Sequence, residues 1–143
     1  PKIKFEGRVQ YIKKGKLRKL LNKNEKILID GCHSKESAKN LYNYLKTING
    51  PIYGIWGMQK NKLPDAFIES FNLIFKKLNT VTIPNEPNSI KASVLKSIGL
   101  KFGYNTQAFS SVENAVKKIS DKRKKTIVIF GSLYLVGNIL SKN

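Results

Sequence analysis

Asp30, Cys32, His33 and Ser34 fall within five residues of one another in ILIDGCHSKES (27–37), and they include the chain's only thiol and only imidazole. Asp30 is a fixed acceptor. His33 carries two ring nitrogens that can donate or accept a hydrogen bond. Ser34 is a residue type that caps helices. A second polar set, Gly131, Ser132 and Tyr134, follows the apolar run TIVIF (126–130). Each set sits between a strand-like run and a helical pattern. At such a turn the first amides of the helix are free and the positive end of its dipole faces out, which attracts carboxylate or phosphate. Two such turns on one sheet make a small-ligand site. Plainer readings remain for each residue alone. His33 can be a hydrogen-bonded turn residue, Ser34 and Ser132 simple N-caps, Asp30 a loop cap and Cys32 a small buried filler.

Those turns need strands and helices to place them. GRVQYIK (7–13) reads as a strand, and GKLRKLLNKNEK (15–26) as a basic connector with a helical turn around Leu17–Leu21. KILID (26–30) is a short apolar strand. Ser34 then starts a helix with Ala38, Leu41, Tyr42 and Leu45 at helical spacing, ended by Gly50-Pro51. IYGIWGM (52–58) is the next strand. KLPDAFIESFNLIFKKL (62–78) predicts a helix burying Phe67, Ile68, Phe71, Leu73, Ile74 and Phe75. TVTIP (80–84) reads as a strand stopped by Pro84, and residues 89–103 as a helix ending near Gly99–Gly103. NTQAF (105–109) is a weak strand, and Ser111 caps a helix over VENAVKKISDKRK (112–124). TIVIFG (126–131) is the strongest strand, and SLYLVGNILSKN (132–143) closes the chain as a helix. Short apolar runs alternating with amphipathic helices predict an α/β fold: a three-layer αβα sandwich, Rossmann-like, with a mostly parallel sheet of about six strands. Such sheets bind ligands outside the carboxyl ends of their strands, where both polar sets fall. Trp56 and the Phe-rich segment keep core periodicity and read as core.

The composition limits the function. The 143 residues suit one domain with a sizeable core. The net charge of +18 invites a nucleic-acid reading, but 24 of the 27 basic residues are Lys, spread along the chain, and only Arg8, Arg18 and Arg123 are Arg. Base readout and phosphate clamps favour Arg. The 14 Asn and 16 Ile share AT-rich codons with Lys, so codon bias accounts for the mixture. No specific nucleic-acid partner is expected. The longest apolar run, residues 126–137, is too short to cross a bilayer, and no basic-then-apolar leader opens the chain. One Cys suits a reducing compartment, and the expectation is a cytoplasmic monomer. There is no G-x-x-x-x-G-K-[ST] and no G-x-G-x-x-G. With nine acids, one His and one Cys, the chain holds no dedicated metal site, and catalysis by it alone is not expected. Pro1 at the start, with Met58 the only Met, reads as a fragment of a longer protein.

Several stretches taken in order, GR (7–8), ILIDGCH, YGIWGMQKNK, TVTIPNEPNS and VIFGSLYLVG, resemble the C-terminal domain of folylpolyglutamate synthase/dihydrofolate synthase, a branch of the Mur ligase superfamily. GSLYLVG is the most specific piece. The resemblance runs from about Gly7 to about Gly137, so residues 1–143 would form a single Mur ligase C-terminal domain lacking the N-terminal P-loop domain. It implies an ATP-dependent ligase that adds L-glutamate to dihydropteroate or folate through an acyl phosphate. ATP and Mg2+ would be bound mainly by the N-terminal domain of the same chain, with this domain closing over the ATP and glutamate sites. By position, Arg8 and Asp30 resemble residues that contact ATP. His33, Ser132 and Tyr134 resemble those that hold or orient glutamate. Ser34-Lys35 stands where the family has Asn-Pro, and the Arg8-to-Asp30 segment is longer than in many members. A peptidoglycan Mur-type ligase domain is the alternative within the superfamily, and a basic nucleic-acid-binding α/β module the alternative outside it.

Overall fold

A computed structural model describes residues 8–143. Among the described residues, six strands and six helices alternate. The strands are β1 (Gln10–Ile12), β2 (Glu25–Asp30), β3 (Ile52–Trp56), β4 (Lys77–Thr80), β5 (Thr106–Ala108) and β6 (Lys125–Phe130). The helices are α1 (Lys16–Lys19), α2 (Lys35–Leu45), α3 (Pro64–Glu69), α4 (Ala92–Lys101), α5 (Val112–Ile119) and α6 (Leu133–Lys142). They form one sheet in the order β1-β2-β6-β3-β4-β5. Every neighbouring pair is parallel except β1 with β2.

β6 is buried along its whole length, and the pleat divides its residues between two cores. Val128 and Phe130 join Leu28 and Trp56 under α2, α3 and α4, with Leu41, Leu45, Phe67 and Leu95. Ile127 and Ile129 join Ile27, Ile29 and Ile55 under α5 and α6, with Val116, Leu135 and Ile139. Two apolar faces explain why β2 and β6 read as continuous aliphatic runs rather than alternating ones. This is the three-layer αβα arrangement the alternation predicts. Among the described residues, no helix is long and apolar enough to cross a membrane.

Three elements differ from expectation. The helix expected over 62–78 ends at Glu69, and Asn72 and Leu73 take left-handed backbone at φ 51° and 59°. The chain must turn there to enter β4. Phe71 and Phe75 are buried as expected, but they reach the core from a turn, while Leu73 is 58% exposed. The strand expected at 80–84 is instead Lys77–Thr80, set by its register with β3, where Tyr53 faces Lys77 and Trp56 faces Thr80. Val81 and Ile83 are buried beyond its end in the core under α6. Helix α5 stops at Ile119, before the basic stretch. There the Ser120 hydroxyl and the Asp121 amide donate to the Glu25 carboxylate at 2.7 and 2.9 Å.

Candidate functional site

β2 and β6 lie side by side, with Asp30 opposite Phe130, so the turns after them leave the same rim of the sheet together. β1 runs the other way, with Gln10 opposite Ile29. The residues just before β1 therefore fall on that rim too, which brings in Arg8.

Arg8, Asp30 and His33 line one recess of about 210 Å3, with Ser34, Ser37 and Leu133 also on its wall. Asp30 is 6% exposed, and its Oδ1 accepts the Cys32 amide at 2.8 Å. Burial pushes its carboxyl up to about 6, against the pull of the Cys32 hydrogen bonds and the Arg8 charge. His33 Nδ1 lies 3.1 Å from the Gly31 carbonyl. A carbonyl only accepts, so Nδ1 carries a proton and Nε2 is the nitrogen left for a ligand. The His33 amide donates to Ser37 Oγ at 3.1 Å, which fixes the backbone beneath the ring. Ser34 caps α2: its hydroxyl accepts the Ser37 amide at 3.1 Å, while its own amide donates to Ser37 Oγ at 3.0 Å. That reciprocal cap is worth about 1 kcal/mol. Cys32 is buried in the core, and burial together with the Asp30 charge holds its thiol well above the usual range, so it packs rather than reacts.

Ser132 and Tyr134 lie apart from that group. Ser132 is 2% exposed. Its Oγ caps α6, accepting the Tyr134 amide at 3.0 Å and the Leu135 amide at 3.4 Å, so only its hydroxyl hydrogen remains to offer a ligand. Tyr134 is 59% exposed and stands on the far side of Leu133. It lines a second groove of about 510 Å3 with Pro84, Glu86, Gly137 and Asn138. The rim thus carries two adjoining recesses, with Leu133 on the wall of both.

Sequence reasoning passed over Ser37, Gln59 and Glu86, and it named Gly131 without a reason for the glycine. Ser37 closes the cap of α2, but a Ser three residues after the cap is not the Glu or Gln that marks such a box. Gly131 has φ 112°, and a Cβ there would lie within 2.2 Å of the Gly57 carbonyl oxygen and 2.6 Å of Trp56 Cδ1. Glycine is therefore required at 131, where the β3 and β6 turns touch, while a Cβ at Gly57 would instead meet Leu135 Cδ2 at 3.1 Å and the Val81 carbonyl oxygen at 3.3 Å. Gln59 and Glu86, paired at 3.0 Å, carried no signal in a single sequence. Among the described residues, no group of three or more His, Cys, Asp or Glu side chains could hold a metal ion.

The profile of the family described as "Dihydrofolate synthetase, C-terminal domain" matches residues 11–142. The chain belongs to this family. Dihydrofolate synthetase of Saccharomyces cerevisiae is 26% identical over 97% of the chain and 35% of its own length. A bifunctional folylpolyglutamate synthase/dihydrofolate synthase from Yersinia pestis superposes with a TM-score of 0.74 at 18% identity, over 96% of this chain and 30% of that one. A structure of such a bifunctional enzyme with Mn, AMPPNP and L-glutamate bound gives 0.73 at 20% identity, over 96% of this chain and 31% of that one. The chain spans about a third of the length of these relatives.

Proposed function

We propose that this chain is the glutamate-side domain of an ATP-dependent ligase that joins L-glutamate to dihydropteroate or a folate, and that it acts by closing over the ATP and glutamate sites. The observation that carries the reading is the meeting of Arg8, Asp30 and His33 in one recess at the carboxyl rim. Family membership supports it, and so does the L-glutamate and AMPPNP bound in a protein of the same fold. The family match favours dihydropteroate as acceptor.

ATP, held with Mg2+ chiefly by the rest of the full-length protein, supplies the phosphoryl group that activates the acceptor carboxyl as an acyl phosphate. The donor set of this chain fits contacts to the nucleotide rather than to the metal. Exposed Arg8 presents a fork of N–H donors suited to phosphate oxygens. Buried Asp30 suits a hydroxyl or another donor. His33 Nε2 and the Ser132 hydroxyl hydrogen are left to orient the incoming glutamate, with Tyr134 across Leu133. Closure of the domain keeps water from the acyl phosphate and fixes the amine against it.

Substituting His33→Ala in the full-length protein tests the reading. Loss of one charge-assisted hydrogen bond raises the apparent KM for glutamate roughly tenfold. The ATP dependence and the thermal midpoint stay close to wild type, because a half-buried turn residue adds little stability. A large fall in midpoint with unchanged kinetics per folded molecule would make His33 a structural residue only.

A further inference from the structure

The groove beyond Leu133 has an unexpected charge. In a chain of net charge +18, the one charged side chain on its wall, among the described residues, is the carboxylate of Glu86. That carboxylate is held in place. Gln59 Nε2 donates to Glu86 Oε2 at 3.0 Å. The Glu86 loop is fastened to the segment after β3 by Lys60 N to Asn88 O at 2.8 Å, by Ile90 N to Met58 O at 2.8 Å and by a bridge between Gln59 and Ser89. None of the ion pairs among the described residues involves Glu86. The opposite wall is α6, with the exposed Tyr134 ring, and at Gly137 a Cβ would meet nothing within 4 Å, so the floor is open. A fixed, half-buried carboxylate without a cation, in so basic a molecule, is a seat for a cationic group.

The recess on the near side of Leu133 differs in kind: Arg8 and the Asp30 carboxylate share its wall, and His33 offers Nε2. We propose that Glu86, oriented by Gln59, receives the ammonium group of the incoming amino acid, while His33 and the Ser132 hydroxyl orient the rest of the molecule and Arg8 is left to the nucleotide. The inference rests on the glutamate-ligase reading above and names a binding residue and a specificity element for it. Glu86 thereby selects an amino acid over a plain dicarboxylate, because only the former brings it a cationic group. A site built to accept an N–H leaves its carboxylate charge unmatched when the ligand lacks that group.

The test is calorimetric titration of the full-length protein, with Mg2+ and a non-hydrolysable ATP analogue present, by L-glutamate and by glutarate, which lacks the amine. Wild type binds glutamate more tightly. Glu86→Gln weakens glutamate roughly tenfold and leaves glutarate unchanged or tighter, so the preference between the two collapses. Gln59→Ala shifts the preference the same way by a smaller factor, and serves if Glu86→Gln folds poorly. His33→Ala weakens both ligands together. Equal weakening of glutamate and glutarate in Glu86→Gln, or no change in either, would overturn the assignment while leaving the ligase reading intact. Absence of glutamate binding by the wild type would overturn both.

Discussion

Asp30 lies buried in the candidate site, and its charge counts against the fold. Its carboxyl stands at about 6 in the folded chain against an ordinary 3.8, because burial outweighs its hydrogen bonds and the Arg8 charge. A raised carboxyl pKa means the folded state holds the proton more tightly than the unfolded one. The associated stability is present below about 3.8 and lost as pH rises through about 6. Asp30→Asn keeps an oxygen for the Cys32 amide and removes the buried charge. It should raise stability at pH 7.5 by about 1–3 kcal/mol and flatten the pH dependence between 4 and 7, as read by urea melts. Turnover by the full-length variant should fall. A variant no more stable than wild type at pH 7.5 would mean that Asp30 is solvated. At this scale the sequence was informative where chemistry is rare. Asp30 and His33 stand out because the chain has one imidazole and few acids. Glu86 and Gln59 do not, because a lone Glu or Gln in a loop has no signature until the fold brings the two together. Ser132 was legible as a cap, and its Oγ does cap α6.

Strands and helices were legible wherever one pattern fixed both type and place. β6 needed only its apolar run, and α2 and the start of α5 their Ser caps and helical spacing. α3 was overextended because Phe71 and Phe75 keep helical spacing although the backbone between them has turned left-handed, and hydrophobic periodicity reports burial rather than φ. The opposite rim of the sheet holds a feature that spacing could not reveal. Lys125 Nζ donates to Glu25 at 2.8 Å, with both side chains buried, and Asp121 also accepts from it. Burial alone would raise the Glu25 carboxyl, but bonds from Lys125, Ser120 and the Asp121 and Asn22 amides outweigh it and hold the group near 2. The cluster ties the start of β2 to the start of β6 and ends α5. Lys125→Met would leave Glu25 buried and unpaired, lowering stability at pH 7 by about 3–5 kcal/mol. The gap to wild type should narrow as acid protonates Glu25 in the variant and, between about 4.5 and 2, withdraws its contribution in the wild type. Chemical denaturation at pH 7 and pH 4 measures both effects, and an unchanged midpoint at pH 7 would show that the cluster contributes nothing.

At the scale of the whole molecule, the parallel sheet decides where chemistry can occur. Its carboxyl rim gathers Arg8, Asp30, His33, Ser132, Tyr134 and Glu86 from four separate stretches, while the charge of +18 is spread over the surface as Lys. The α/β class and the two-faced core could be read from alternation alone. The division of the rim into two recesses by Leu133 could not, since it depends on how α6 lies against the turn after β4. The central claim is that this chain completes a ligase and is not itself one. The direct measurement is ADP release in the presence of ATP, Mg2+, dihydropteroate and L-glutamate, made on the full-length protein and on this chain alone. The account predicts ADP release by the full-length protein that requires both dihydropteroate and glutamate, and none by the chain. Turnover by the isolated chain, or a full-length protein whose ADP release ignores glutamate, would contradict it.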